Sequence, residues 1–286
     1  MNGGNDRSVT GSTLVRTRRA VYGCPMPTLQ ELLLDPISLI VIALYAGLWG
    51  LEALFPGRAL PRVPGARARG ALWFALYFLI SSYLPYLWSD VIAPLRCFDL
   101  TGWPLPLAIL VGVLSYELLA YAYHRSLHAS DFLFRNVHQM HHSAERLDVA
   151  SAFYFHPLDI IGWTAITSLG LSALVGLSPQ ATGSAVLILT FLSVFQHANL
   201  RTPRWLGYLV QRPESHSRHH GRGWHRNNYA DLPILDLLFS TFENPPDFEP
   251  ETGYYDGASG EVGSLLVGRN LTGSLPPLRN VARPRA

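Results

Sequence analysis

Eight histidines fall in three short runs: His124-Arg-Ser-Leu-His128, His138-Gln-Met-His141-His142 and His216-Ser-Arg-His219-His220. All eleven histidines of the chain lie between positions 124 and 225. On a helix, residues three and four apart share a face, so each run presents its imidazoles as one stripe. Imidazole is neutral near working pH and suits iron, copper, zinc and nickel. A structural zinc site takes four ligands and a catalytic one three plus water, so eight or more is a surplus for one ion and points to two. A pair of iron ions that activates dioxygen is the reading that uses this count. Cys24 and Cys97 are isolated and offer neither a disulfide framework nor a thiolate site.

The elements that must carry these stripes are apolar helices. The 286 residues are 49% hydrophobic and 15% charged, against about 25% charged in a soluble domain, and the mean hydropathy is positive. Five segments approach or reach membrane-spanning length: Ile37–Phe55, Ala71–Ala93, Leu105–Tyr123, Ile160–Val175 and Gly183–Leu200. The fourth is the weakest. Pro36, Pro56, Pro94 and Pro104 stand at segment ends, and Pro85 predicts a kink inside the second. The expected fold is all-α, a multi-pass transmembrane bundle of four to five segments with a helical, histidine-rich, metal-binding cap on the cytoplasmic side. The fourth and fifth segments form a hairpin that returns the chain to the side it left, so the histidine runs share one face. The loop 56–70, with Arg58, Arg62, Arg67 and Arg69, falls on that face and the nearly neutral loop 95–104 opposite, which makes the histidine face cytoplasmic. Arg16, Arg18 and Arg19 conflict with this if the first segment spans.

The expected organisation is a polar segment 1–32, with no removable signal peptide, an embedded domain 33–243 holding the histidine runs of 124–142 and 216–220, and a peripheral tail 244–286 rich in Pro, Gly, Asp and Glu. A net charge of +2, from dispersed charges, does not suggest a nucleic-acid surface, and no nucleic-acid partner is expected.

Through "YAYHRSLH", "NVHQMHHSAE", "FHPLD" and "ESHSRHH…NNYADLPILDLLFSTF" the chain resembles the fatty acid hydroxylase/sterol desaturase superfamily of membrane di-iron enzymes over roughly residues 105–260. The resemblance implies that His124, His128, His138, His141, His142, His216, His219 and His220 bind metal. It adds His197, nineteen positions before His216, as a ninth ligand. His225 is open between a tenth ligand and a donor behind the ligands. His156, in "FHPLD", matches a family feature outside the three runs, and an anchoring or supporting role is expected.

Glu117 lies seven residues before His124 on the same helical face of an apolar segment, where a carboxylate is a functional hypothesis by default. It either orients a ligand imidazole or pairs with a Tyr or Ser hydroxyl. Asn199, near His197, has the same status. Trp73, Tyr77, Tyr83, Tyr86 and Trp88 are assigned no substrate role, since interfacial belts and helix packing also explain them.

The expected activity is O2-dependent oxidation of a lipid C–H bond, whether hydroxylation, desaturation or methyl oxidation, at two iron ions. The lipid reaches the site from the bilayer. With no haem or flavin module in view, electrons come from a separate ferredoxin, or a cytochrome with its reductase. The competing classes are a histidine-rich metal transporter, a bis-histidine haem cytochrome and a zinc-dependent lipid hydrolase. A transporter would distribute ligands about the midplane with repeat symmetry, and no repeat is visible; the hydrolase lacks HExxH. The expected location is a bacterial inner membrane. Oligomeric state is not readable, because lipid-facing and partner-facing helices look alike by hydropathy.

Overall fold

The computed structural model describes residues 26–273, which are helical with no strand among them. Proline sets most of the long helices in register. Its fixed φ and missing N–H suit the first helical turn, and α2 (Pro36–Leu54), α6 (Pro157–Ser168) and α7 (Pro179–His197) each begin on one. Their starts are sealed by Asp35, His156 and Ser178, whose side chains accept backbone N–H groups of the first turn. The short α1 (Leu29–Leu34) precedes α2 and carries a Thr28–Glu31 capping box. α3 (Ala66–Ile92) starts five residues earlier than hydropathy suggests, so Arg67 and Arg69 ride on its first turn, and it is one continuous helix through Pro85. α4 (Leu105–Ala129) extends past the apolar stretch to include His124 and His128.

Four of these helices are long and apolar enough to cross a membrane: α2, α3 with its short extension to Leu95, α4, and α6 with a π-helical extension Leu169–Leu174. The chain is an integral membrane protein. The last span has the lowest hydropathy of the four, as the sequence suggested. The expected fifth segment forms the 19-residue α7 but is not among the four, for it carries Gln180, Thr182, Thr190, Ser193, Gln196 and His197.

Successive long helices run in alternating directions. Backbone bonds from Cys97 and Phe98 to Ala173 and Leu174 tie the α3–α4 loop to the end of α6, and Gly57 N–H donates to Asn199 O, which ties the α2–α3 loop to the end of α7. The loop 56–70 therefore lies at the histidine end and the loop 95–104 at the other. Arg16, Arg18, Arg19 and most of the 1–32 segment lie outside the described residues.

The core follows the same division. One cluster around Tyr116, Ala120, Leu171 and Leu177 packs α4 against α6 and α7 within the bundle. A second, around Tyr45, Phe153 and Phe155, sits where the bundle meets the cap. A third joins Phe134, Met140 and Tyr154 to Tyr254, Ala258, Leu265 and Leu271. The segment expected as a peripheral tail thus contributes core: Tyr254 OH donates to Gln139 O, and Leu271 N–H to Gln139 Oε1. Aromatic and aliphatic residues spaced among the tail's turn formers supply this contact, which a reading by turn composition misses.

Candidate metal centre

Four elements converge at one end of the bundle. The end of α4 brings His124 and His128. A π-helical turn, Phe134–His138, leads into α5 (Gln139–His142) and brings His138, His141 and His142; such wide turns recur at functional sites. The end of α7 brings His197, and α8 (Pro213–His219) with its cap His220 brings His216, His219 and His220.

These side chains form two groups able to hold a metal ion: His124, His128, His138, His142 and His219, and His141, His197, His216 and His220. Every i,i+4 pair stays within one group, whereas the i+3 members His141 and His219 cross to the other. The groups adjoin, with the His142 and His220 rings stacked at 4.1 Å. All nine are buried.

Hydrogen bonding decides which ring nitrogens carry protons. His124 Nδ1 lies 2.8 Å from Tyr229 O, His128 Nδ1 2.7 Å from His225 O, and His219 Nδ1 2.6 Å from Asn227 O. A carbonyl only accepts, so each Nδ1 carries the hydrogen and each neutral ring turns a bare Nε2 lone pair inward. His138 Nδ1 is held by Asp159 Oδ2 at 2.7 Å in the same sense. Yet His124 Nε2 stands 3.0 Å from His138 Nε2 and 3.1 Å from His219 Nε2. Three lone pairs facing one another at that distance repel unless a cation lies between them. The second group repeats the pattern: His197 Nδ1 donates to Ser193 O, and its Nε2 lies 3.1 Å from His141 Nε2 and 3.0 Å from His216 Nε2. The Nε2 atoms of His128 and His142 are buried with no hydrogen-bond partner. Burial, reinforced by neighbouring imidazoles, holds His138, His141, His142, His216 and His220 well below the ordinary histidine range, as ligation requires. The residues fit two metal ions.

The two groups are anchored unequally. In the first, all five Nδ1 atoms have a partner, the fifth being His142 Nδ1 at 3.1 Å from His225 Nδ1. In the second, Nδ1 of His141, His216 and His220 has none. The anchors of the first come largely from the segment 225–229, where His225, Asn227 and Asn228 take φ of 45°, 69° and 52°. Left-handed backbone is costly for residues other than glycine and least so for asparagine. The reversals let the carbonyls of residues 225, 227 and 229 serve three imidazoles.

The remaining sequence candidates are placed as follows. His225 stands behind His142, outside both metal-binding groups. His156 is away from the cluster: Nδ1 accepts from Leu158 N–H at 3.1 Å and Nε2 donates to Leu266 O at 3.2 Å, so it anchors α6 to the C-terminal segment. Glu117 touches no imidazole; Oε2 accepts the N–H groups of Asp231 and Leu232 at 3.1 Å, fixing the turn after the 225–229 segment. Asn199 brackets Arg58, accepting its N–H and donating to its carbonyl, and so holds the α2–α3 loop. Sequence reasoning gave Asp159 no role. The signal was its place in "FHPLD", an acid in the first turn of an apolar helix.

A cavity of about 320 Å³ opens from the centre into the bundle. His141, His197 and His216 of the four-histidine group line it, with His124 and His138 of the other. Phe74, Tyr77, Phe153, Phe155 and Trp163 form walls near them, and Ser81, Ser82, Ser172 and Thr182 lie among its other lining residues.

A family model described as fatty acid hydroxylase matches residues 109–241, the stretch that holds all eleven histidines. The ornithine lipid hydroxylase OlsE of Rhizobium tropici is 29% identical over 170 residues, 58% of this chain and 47% of that relative, so the match spans about half the relative's length. No solved structure matches the chain. The motifs, the converging imidazoles and the matched stretch agree, and residues 109–241 are similar to the fatty acid hydroxylase family.

Proposed function

We propose that this protein hydroxylates a C–H bond of a membrane lipid, with dioxygen as oxidant, at two iron ions held by the nine clustered histidines. The observation that carries this reading is the convergence of unprotonated Nε2 atoms on two adjoining points at the head of a cavity within membrane-spanning helices. Iron bound there would supply the activation of dioxygen that an unactivated carbon requires.

The chain's own residues supply the rest. His124, His128, His138, His142 and His219 would hold one ion in a fixed frame, since the carbonyls of His225, Asn227 and Tyr229, the Asp159 carboxylate and the His225 ring set their orientation. His141, His197, His216 and His220 would hold the other, on the side that most faces the cavity. The walls of Phe74, Phe153, Phe155 and Trp163 keep bulk water from the centre and admit an apolar chain between the helices. Converting C–H to C–OH with dioxygen also yields one water and consumes two electrons and two protons. We assign the electrons to a separate donor, a ferredoxin or a cytochrome with its reductase. Arg58, Arg62, Arg67 and Arg69 at the histidine end favour a cytoplasmic centre, in a bacterial inner membrane.

The test is metal analysis and oxygen uptake on purified protein supplied with lipid and reductant. About two iron per chain, with dioxygen consumed in step with hydroxylated lipid, is expected. Full zinc occupancy with lipid turnover in the absence of dioxygen would refute it.

A further inference from the structure

The cavity wall holds one group that neither metal binding nor packing uses. Asp231 lines the cavity beside the metal centre. Its Oδ1 is fixed by Gln196 Nε2 at 2.7 Å, and Oδ2 receives no hydrogen bond among the described residues. The backbone there is rigid: Glu117 accepts the Asp231 N–H, and Gln211 N–H donates to the Asp231 carbonyl at 2.7 Å. Both partners tie the carboxylate to the histidines, since Gln196 precedes His197 on α7 and Tyr229, two residues before Asp231, orients His124.

Among the described residues lining this cavity there is no arginine, and Asp231 is the one carboxylate. Burial raises its carboxyl above the ordinary carboxylate range, a cost that a cation beside it relieves. The aromatic residues Tyr77, Tyr116 and Trp163 line the same cavity. A carboxylate with a free oxygen in a cavity lined by electron-rich rings can select an organic cation, by ion pairing and cation–π attraction. The cavity lies among spanning helices, so the cation it takes is carried on a lipid.

We propose that Asp231, held by Gln196 in a cavity that Tyr77, Tyr116 and Trp163 also line, binds the ammonium group of an amine-bearing lipid and presents a carbon near that headgroup to the metal centre. This substrate class rests on the lipid hydroxylase reading above. It predicts oxidation near the headgroup and not far along an acyl chain.

The experiment measures binding to purified, metal-loaded protein in mixed micelles. The probes are a single-chain amphiphile with a primary ammonium headgroup, its N-acetyl derivative, and the water-soluble headgroup amine alone. The ammonium amphiphile is expected to bind at least tenfold more tightly than the other two. Asp231→Asn should reduce its preference over the N-acetyl amphiphile to less than threefold while iron content stays at the wild-type level, and Asp231→Glu should restore part of it. Equal binding of both amphiphiles by wild type, or loss of iron in Asp231→Asn, overturns the proposal; equal binding by the free amine overturns the lipid source. If Asp231→Asn fails to fold, as its melting would reveal, the wild-type and Asp231→Glu preferences decide. Ammonium selectivity without oxygen-dependent turnover would remove the hydroxylase reading and leave the subsite, whereas turnover without selectivity would do the reverse.

Discussion

Histidines in this chain take three distinct jobs, and hydrogen bonding separates them. His141 has its Nε2 in the cluster and makes no hydrogen bond through Nδ1, whereas His156 spends both nitrogens on backbone. His141→Ala is therefore expected to abolish activity and lower bound metal. His156→Ala should retain most of the metal and cost about 1 kcal/mol, the worth of a helix cap; metal analysis and thermal melting of the two variants read this directly. His225 does a third job, backing His142 while its carbonyl orients His128. Asp159 is the one carboxyl group among the anchors of the five-histidine group. Asp159→Asn keeps an acceptor for His138 but replaces the carboxyl by an amide, and metal affinity should fall roughly 10- to 100-fold, measured by competition with a chelator.

At the scale of elements, the centre depends on how closely α3 approaches the chain between α5 and α6. A Cβ on Gly70 would stand 2.1 Å from the carbonyl oxygen of Ala150, a backbone atom with nowhere to go. Gly70→Ala should destabilise the protein by about 1–3 kcal/mol, as overpacking does. Gly47, on α2, meets nothing within 4 Å, so Gly47→Ala should be neutral or stabilise by about 0.5–1 kcal/mol. Denaturation in detergent of the pair distinguishes a packing glycine from an incidental one. The contact matters because Val149 N–H also donates to Glu52 at the end of α2, as does Asn199 N–H from beyond α7. One buried carboxylate thus links the ends of two helices to the loop that follows the second histidine run.

For the whole molecule, packing nine imidazoles and His225 out of water makes stability depend on protons. His142, His216, His219 and His220 are held well below the ordinary histidine value and His225 down to about 3, by burial first. The unfolded chain binds protons near pH 6.5 that the folded chain refuses, so this contribution is full above about pH 6.5 and is lost as pH falls toward 3. Metal on the same nitrogens competes with those protons. Lowering pH from 8 to 5 should lower the melting temperature and release metal together, and chelation at pH 8 should lower it alone. A melting temperature flat across that range would contradict the buried-neutral state of the cluster.

The order of residues alone determined that helices would carry imidazole stripes, that the chain would lie in a membrane, and that more histidines cluster than one ion needs. Those follow from local periodicity and hydropathy, which a single chain displays in order. Which stripe shares an ion with which is a different matter. The i,i+4 spacing keeps His138 with His142 and His216 with His220, but only packing sends His141 to the second group and His219 to the first. Packing likewise assigned the carbonyls of residues 225, 227 and 229, which have no residue signature because every residue carries a carbonyl. It put Glu117 on a backbone turn and on neither an imidazole nor a hydroxyl, and it turned Asp231 from a loop letter into a cavity wall. The C-terminal segment became part of the core for the same reason: its partners lie more than a hundred residues away, and no local pattern records a contact made across that distance.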